Sequence, residues 1–275
     1  MTGSSGFIGS HVISELRTRE ILPLCFTRSD HHLGLERVCS ECDSVIHLAG
    51  EVKPWMSDSD FNLSNVGLTE DLLGLLRKRS LSVNLVFASS VHAEKQTSSY
   101  GITKYEAERL MLSFAEELGA TLNIFRLPHV FGEGCKPEYN SVLTTWICNA
   151  LSGITSVVYD RSKEMVYSDV TDVAAMMVDA ARGSDITESA AGHYVEVPAF
   201  KITLGKLHDL IQELVGVDVA LSDPLEDEFR ARLHRTIKFY KFWMAGDSLT
   251  SIERARSLFF DKSDVYEHGG NKWGR

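Results

Sequence analysis

Short apolar runs alternate with helical patterns over the first two thirds of this chain, and this alternation constrains the fold more than any other feature. The runs are rich in β-branched or aromatic residues and nearly continuous in apolarity, as strands buried on both faces are. They cover residues 21–26, 44–48, 83–88 and 121–125. Helical patterns cover residues 7–19, a stretch ending near Arg79, and residues 104–118. Such alternation predicts an α/β fold, a Rossmann-type doubly wound parallel sheet.

The last third has a different pattern, which predicts a small, mostly helical C-terminal lobe for substrate. Three amphipathic helices are expected there, over residues 169–181, 204–215 and 226–243. We therefore predict a dinucleotide-binding domain over residues 1–155 and a mixed segment over residues 156–263. That segment contributes one Rossmann helix and the smaller substrate-binding lobe. Residues 264–275 are polar and Gly-rich, and we expect a flexible tail.

Charge and hydropathy exclude some classes of protein. The chain has 275 residues and a formal net charge of −10, which argues against nucleic acid as a partner, since phosphate-backbone binding relies on clustered Lys and Arg. It does not argue against an anionic nucleotide, which needs only local donors. No apolar run approaches the roughly 20 residues of a membrane helix, and no signal pattern precedes the glycine-rich opening. We expect a cytoplasmic protein with no membrane association.

Five cysteines in such a chain predict free thiols. Cys39 and Cys42 have the spacing of a metal or redox pair, but no second Cys or His pair follows at a suitable distance. Two ordinary thiols at a helix end are the simpler interpretation, and we expect no metal site.

A glycine-rich opening runs from Thr2 to Ser10, with Gly3, Gly6 and Gly9 three residues apart. In a dinucleotide-binding loop the first glycine allows a tight turn and the second lets backbone N–H groups approach a pyrophosphate. The third lets the helix pack on the sheet. An ordinary Gly-rich turn is the alternative. The strand that should precede this loop is mostly missing, because strands run about five or six residues; we interpret the start as misplaced or the record as truncated.

Cofactor specificity is normally read at the end of the second strand. That place holds Thr27, Arg28 and Ser29 rather than an acid. The guanidinium of Arg28 offers donors to a 2′-phosphate or stacks on adenine. NADP(H) is therefore favoured over NAD(H), with Asp30 close by as the feature that weakens the argument.

Tyr100 and Lys104, one helical turn apart, follow a strand that ends in Ser89 and Ser90. A tyrosine with an ordinary pKa near 10 needs help to exchange a proton at neutral pH. A neighbouring lysine and a nicotinamide would favour the phenolate. A serine hydroxyl would bind the substrate oxygen, and strand alternation favours one of the two serines; we choose Ser90. Glycine loop, serine and Tyr/Lys pair in this order are typical of short-chain dehydrogenases.

The motifs resemble extended short-chain dehydrogenases that act on nucleotide sugars, the NAD-dependent epimerase/dehydratase family. The resemblance is carried by the opening residues 2–10, by His47-Leu48-Ala49-Gly50, and by Tyr100-Gly101-x-x-Lys104. Residues 126–132, 135–142 and 197–205 are similar to one subgroup, the capsular-polysaccharide 4-reductases of UDP-2-acetamido-2,6-dideoxy-hexulose. The resemblance extends to about Leu233, and its most specific part is Cys135-Lys136-Pro137-x-Tyr139-Asn140-Ser141.

This resemblance implies NADPH-dependent reduction of the C4 ketone of a UDP-linked 6-deoxy-HexNAc, in a homodimer. The catalytic residues would be Ser90, Tyr100 and Lys104. The cofactor would contact Gly3, Ser5, Gly6, Phe7, Ile8, Gly9, Arg28, Leu48, Ala49, Gly50, Tyr100 and Lys104. The UDP-sugar would contact His92, His129, Lys136, Tyr139, Asn140 and Arg161.

Three features depart from the family pattern or leave alternatives. His129 stands where relatives often have Asn, and either a pocket role or packing would suit it. The C-terminal cupin-like domain that handles C3 epimerisation in relatives is expected to be lacking. Val91-His92 replaces the Asp-Glu pair of a dehydratase. The alternatives that stay open are an NAD-dependent nucleotide-sugar 4-epimerase and a non-catalytic nicotinamide-binding protein.

Overall fold

The computed structural model describes residues 1–27, 30, 32–52, 57–79, 83–139, 141–184, 193–216 and 228–245. The expected tail at residues 264–275 lies outside this part of the chain, as do two predicted site residues, Arg28 and Asn140. Among the described residues, no helix is both long and apolar enough to cross a membrane.

Seven strands and ten α-helices are described. The strands are β1 (Ser44–His47), β2 (Asn84–Ser90), β3 (Leu122–Leu127), β4 (His129–Phe131), β5 (Glu164–Asp169), β6 (Tyr194–Val195) and β7 (Phe200–Thr203). The helices are α1 (Phe7–Thr18), α2 (His32–Ser40), α3 (Asp58–Phe61), α4 (Leu68–Lys78), α5 (His92–Lys95), α6 (Ser99–Leu118), α7 (Val142–Leu151), α8 (Val170–Ala181), α9 (Leu204–Gly216) and α10 (Glu228–Ala245). A π-helical segment, Asn62–Gly67, joins α3 to α4.

The main sheet is parallel and has the order β1-β2-β3-β6. One apolar cluster on it combines side chains of α2, α4 and α6, and a second combines side chains of α1 and α8. Helices therefore cover both faces, which explains why β1, β2 and β3 are almost continuously buried. The predicted α/β class with a doubly wound parallel sheet is confirmed.

The strand predicted over residues 21–26 is wrong for most of its length. Only Phe26 pairs, through a single parallel bridge to Thr2, and Leu22 is 87% exposed. Pro23 has no backbone N–H, so this run lacks one of the donors that strand pairing needs. Thr2 itself lies between two neighbours: its N–H donates to Ile46 O at 3.0 Å, and Met1 O accepts from the N–H of Phe26 at 2.8 Å.

Helix α6 begins five residues before the predicted start at Lys104. The Ser98 hydroxyl caps the helix by accepting from the N–H of Gly101. Because the cap lies upstream, Tyr100 and Lys104 both fall within the first two turns of one helix. The helix ends where Gly119 adopts a positive φ of 63°.

The chain forms two compact units, each built from two segments. The first contains residues 1–130 and 166–200, and the second contains residues 131–165 and 201–275. The sequence analysis placed a boundary near residue 155 and expected the following segment to contribute both a Rossmann helix and the lobe. Described residues of the second unit include α7, α9 and α10, with Leu207, Ile211 and Phe229 buried. The mostly helical C-terminal lobe is confirmed, together with a small sheet of order β4-β5-β7.

Candidate active site

The glycine-rich opening forms a tight loop that leads directly into α1. Gly3 has a positive φ of 70°, and a Cβ there would lie 2.7 Å from Ala49 N. A Cβ on Gly9 would lie only 2.1 Å from Gly3 O, so α1 approaches the loop at a distance that only glycine allows. Gly6 N–H donates to Gly3 O at 3.1 Å and closes the turn.

The start of α1 has the chemistry of an anion site. Gly6 is the N-cap, no side chain caps the helix, and its first turn carries no acidic residue. Ser5 and Gly6 are exposed, and Phe7 and Ile8 are half-buried. Backbone N–H groups and the positive end of the helix dipole suit a pyrophosphate. These residues fit a dinucleotide.

The segment after β1 lies against the same loop. Leu48 N–H donates to Thr2 O at 3.4 Å, and Ala49 N–H donates to Thr2 Oγ1 at 3.2 Å. Gly50 is exposed, and a Cβ on it would lie 2.8 Å from Asn65 Oδ1 and 3.3 Å from Lys104 Nζ. The predicted cofactor-binding residues of both loops are thereby brought together, with Gly50 beside Lys104.

Asn65 ties the Gly50 loop to the tyrosine-bearing helix. Its Oδ1 accepts from Glu51 N–H at 2.7 Å, and its Nδ2 donates to Glu51 O at 3.2 Å and to Thr103 Oγ1 at 3.1 Å. Asn65 lies in the π-helical segment and is 2% exposed. π-bulges are frequent at functional sites. The sequence analysis missed this residue, because its local sequence Ser64-Asn65-Val66 gives no sign that the amide is buried.

The two serines at the end of β2 have different partners. Ser89 donates its hydroxyl hydrogen to Glu108, whereas Ser90 Oγ accepts from the N–H of His92 at 3.3 Å. A hydrogen bond from the Ser90 side chain also lowers the pKa of Tyr100. Ser90, rather than Ser89, is therefore the serine that adjoins the tyrosine.

Tyr100 is half-buried between two aromatic rings. Its ring centroid lies 6.2 Å from that of Phe61 and 6.0 Å from that of His92. Burial raises the pKa of its phenol, and this effect outweighs the lowering by Ser90. A phenol that stays protonated at neutral pH can donate a proton.

Lys104 is buried, and its side chain lies against β2. Its Nζ donates to Ala88 O at 2.7 Å and lies 4.9 Å from the centre of the Phe87 ring. Burial lowers its pKa to about 8, and the nearby Glu108 carboxylate opposes this lowering. The side chain therefore loses its proton just above neutral pH.

Two histidines were predicted to contact substrate. His92 is exposed and lies beside Tyr100, as its ring contact shows. His129 is exposed at the start of β4, and its ring centroid lies 5.7 Å from that of Tyr167. The structure thus brings His92 to the serine and tyrosine, and places His129 against a different aromatic ring.

The other predicted substrate residues belong to the second compact unit. Lys136 Nζ lies 5.7 Å from the centre of the Tyr139 ring. Glu138 between them has a positive φ of 56°, and its N–H donates to Thr145 Oγ1 at 2.8 Å. Arg161 Nη2 lies 2.6 Å from Asp209 Oδ2 in an exposed ion pair. Arg161 is thus engaged with a carboxylate of α9.

The cysteines and acidic groups give no sign of a metal centre. All five cysteines are free, and burial raises the pKa of the Cys39 thiol to about 11. Within the described ranges, no group of three or more His, Cys, Asp or Glu could hold a metal ion. The Cys39/Cys42 pair therefore consists of protonated thiols.

The family model described as NAD dependent epimerase/dehydratase family matches residues 1–190. This match covers more than half of the chain, and the chain belongs to that family. The resemblance seen in the motifs is confirmed, and a nicotinamide dinucleotide is the cofactor that this membership implies.

Among individual relatives, a UDP-2-acetamido-2,6-beta-L-arabino-hexul-4-ose reductase of Pseudomonas aeruginosa is 30% identical over 216 residues. The alignment covers 78% of this chain and 56% of that reductase, so the chain spans little more than half the length of this relative. The capsular polysaccharide assembling protein CapF from Staphylococcus aureus superposes with a TM-score of 0.77 at 29% identity, covering 90% of this chain and 67% of that one.

A third comparison bears on the fold alone. MoeE5 in complex with UDP-glucose and NAD has a TM-score of 0.71 at 23% identity. The match covers 89% of this chain and 98% of that chain.

Proposed function

We propose that this protein reduces the C4 ketone of a UDP-linked 2-acetamido-2,6-dideoxy-hexulose with NADPH, in the synthesis of a nucleotide sugar for surface polysaccharide. The observation that carries the proposal is the 30% identity to a reductase named for such a substrate. The cluster of Ser90, Tyr100 and Lys104 at the end of β2 supports it, because it contains a proton donor, an oxygen ligand and a buried cation.

The chemistry follows from the positions of these three side chains. A bound nicotinamide supplies hydride to the carbonyl carbon. Tyr100 donates its phenolic proton to the carbonyl oxygen, and Ser90 Oγ donates a hydrogen bond to that oxygen as negative charge develops. Lys104 stabilises the phenolate that Tyr100 leaves behind.

The preference for NADPH rests on Arg28, whose guanidinium would pair with a 2′-phosphate. The one acidic residue nearby supports this assignment. Asp30 Oδ2 already accepts from the N–H of Thr27 at 2.7 Å and from its hydroxyl at 2.8 Å. Both contacts of this oxygen lie within its own turn, so a local structural role accounts for Asp30 without a contact to the ribose.

The proposed substrate contacts are His92, His129, Lys136, Tyr139, Asn140 and Arg161. Of these, His92 has the strongest support, because it adjoins both Ser90 and Tyr100. Lys136 and Tyr139 supply a cation and a hydroxyl-bearing ring from one short loop. Both groups suit the phosphates and sugar of a nucleotide sugar.

The test follows nicotinamide absorbance when the purified protein is mixed with NADPH and an enzymatically generated UDP-4-keto-6-deoxy-HexNAc. NADPH consumption that requires the keto-sugar is expected, with slower consumption of NADH. Tyr100→Phe should lower kcat roughly 10²- to 10⁴-fold, while Tyr159→Phe, at a 97% exposed position, should leave it unchanged. Absence of turnover with either cofactor, in protein shown to be folded and to bind NADPH, contradicts the proposal.

A nucleotide-sugar 4-epimerase is the second candidate, because the same tyrosine and lysine would serve both reactions. Tightly retained NAD in purified protein, with interconversion of two UDP-sugars and no net NADPH consumption, identifies that activity. A protein that binds nicotinamide without either turnover corresponds to the third candidate, a non-catalytic binding protein.

We infer that the partner is a second copy of the chain, joined through α6 and its neighbours. Leu63 on the π-helical segment is 75% exposed and Ile102 on α6 is 43% exposed. Such apolar side chains on adjoining helices suit a homodimer interface. Light scattering should give twice the monomer mass, and Leu63→Glu should reduce it. The cytoplasmic location stays a prediction.

A further inference from the structure

A fully buried carboxylate lies behind the catalytic cluster, and none of the roles above uses it. Glu108 follows Lys104 by one turn of α6 and has 0% exposure. Burying an ionised carboxylate carries a large desolvation penalty, which only opposite charge and hydrogen bonds can offset. A buried acid this close to a catalytic lysine therefore calls for a functional explanation.

The carboxylate accepts hydrogen bonds from three strands. Ser89 on β2 donates to Oε1. Arg126 on β3 donates through Nε to Oε1 at 3.0 Å and through Nη2 to Oε2 at 2.6 Å, in a forked pair. The Tyr194 hydroxyl on β6 donates to Oε2 at 3.3 Å. Glu108 thus joins α6 to three neighbouring strands, β2, β3 and β6.

Two series of contacts link Glu108 to Ser90. Ser89 is the residue before Ser90, and it is paired in register with Arg126 on the next strand. Arg126 Nη1 also donates to Glu94 Oε1 at 3.1 Å. Glu94 belongs to α5, which begins at His92, and His92 N–H donates to Ser90 Oγ. Both routes from Glu108 end at Ser90.

We propose that Glu108, clamped by Arg126, is a positioning residue that orients Ser90 through Ser89 and holds Lys104 in its charged form. The orienting part of this inference is tested by kinetics and therefore rests on the proposed reductase activity; the charge part does not. The orienting route depends on hydrogen bonds to β2, whereas the effect on Lys104 depends on charge, so the two parts respond to different substitutions.

The charge part follows from what faces Lys104. Among the described residues, Glu108 on the same helix and His47 on β1 interact electrostatically with Lys104, and burial keeps His47 neutral. Glu108 is therefore the group that supplies negative charge, and its attraction raises the pKa of Lys104 against the lowering by burial. Without that carboxylate, the pKa of Lys104 would be lower.

The first experiment measures this charge directly, without substrate or cofactor. The protein is labelled with ¹³C-lysine and the Lys104 Cε signal, identified by its loss in Lys104→Arg, is titrated by NMR. We expect a midpoint near 8 in the wild-type chain, and a midpoint lower by about one pH unit or more in Glu108→Gln. The same midpoint in both proteins overturns the charge part.

The second experiment measures the orienting route. Ser89→Ala removes one hydrogen bond to Glu108 and keeps the carboxylate. We expect kcat to fall about tenfold with KM for NADPH and the alkaline limb of the pH–rate profile unchanged, whereas Glu108→Gln moves that limb to lower pH. Ser40→Ala, whose hydroxyl bonds only within α2 at Arg37 O, is the matched control. Wild-type kcat in Ser89→Ala overturns the orienting part.

If Glu108→Gln does not fold, a second variant allows the same measurement. Glu108→Gln combined with Arg126→Gln removes both buried charges, and replacing both partners of such a pair is tolerated better than removing one. We expect the lower Lys104 midpoint in the double variant as well, and a wild-type midpoint there contradicts the proposal. If the wild-type chain shows no turnover at all, the proposed function fails while the Lys104 titration still decides the charge part.

Discussion

The Oγ1 atom of Thr2 lies 2.6 Å from Nδ1 of His47, and the direction of this hydrogen bond follows from the contact on the opposite side of the imidazole ring. On the other side of the ring, Nε2 lies 3.0 Å from Thr69 Oγ1. The Thr69 hydroxyl donates to Asn65 O at 2.7 Å, so it accepts from His47. The ring is therefore the neutral Nε2–H tautomer, and Nδ1 accepts from Thr2, whose own oxygen accepts from Ala49 N–H.

This network predicts acid sensitivity. Burial lowers the pKa of His47 from 6.5 to about 3, so between these values the unfolded chain binds a proton that the native chain does not. The free energy of unfolding should fall as pH drops below about 6.5, by up to about 1.4 kcal/mol per pH unit. Urea denaturation from pH 7.5 to 4.5 should show this slope in the wild type and a smaller slope in His47→Gln. Equal slopes in the wild type and in His47→Gln would contradict the argument.

Two glycine substitutions should act in opposite directions. In Gly9→Ala, the new Cβ would lie 2.1 Å from Gly3 O, so the loop must move away from α1. We expect a loss of roughly 2–4 kcal/mol in the free energy of unfolding and loss of NADPH binding by calorimetry. Gly74→Ala on α4 has nothing within 4 Å of its Cβ and should stabilise the chain by about 0.5–1 kcal/mol. NADPH binding of normal affinity by Gly9→Ala would refute the assignment of this loop.

Removal of the Asn65 side chain should weaken both folding and cofactor binding. Asn65→Ala removes the three hydrogen bonds that the buried amide makes with the backbone of Glu51 and with the hydroxyl of Thr103. We expect a cost of roughly 2–4 kcal/mol in the free energy of unfolding, measured by denaturant titration, and weaker NADPH binding, because Gly50 adjoins Asn65. The exposed Asn62→Ala is the control. Unchanged NADPH affinity in a destabilised Asn65→Ala would limit its role to folding.

Arg161 offers a direct test of the proposed diphosphate contact. Because its ion pair with Asp209 is exposed, Arg161→Ala should change the free energy of unfolding by at most about 1 kcal/mol. If Arg161 binds the diphosphate, the same change should raise KM for the UDP-sugar about tenfold or more with little effect on kcat. Asp209→Asn, which frees the guanidinium, should lower KM or leave it unchanged. A wild-type KM in Arg161→Ala would remove this residue from the substrate site.

Local sequence was sufficient for α1, α4, α8, α9 and α10, for most of α6, and for β1, β2 and β3 of the main sheet; it did not predict α2, α3, α5 or α7. Period and composition specify these elements because β1, β2 and β3 are buried on both faces and each helix has an apolar stripe. The same reasoning failed at residues 21–26. A strand forms only where a neighbour offers a ladder, and Phe26 has one bridge to Thr2. Strand pairing is a property of two segments, so a single apolar run cannot establish it.

The sequence by itself determined the parallel doubly wound sheet, the glycine turn into α1, and the choice of Ser90, Tyr100 and Lys104, since spacing on a strand and a helix dictates which side chains can meet. Only the tertiary structure revealed Asn65 and Glu108. Their importance comes from burial and from partners 14 to 86 residues away along the chain. Burial turns an ordinary polar side chain into one whose hydrogen bonds must all be supplied by the protein, and no local pattern encodes that supply.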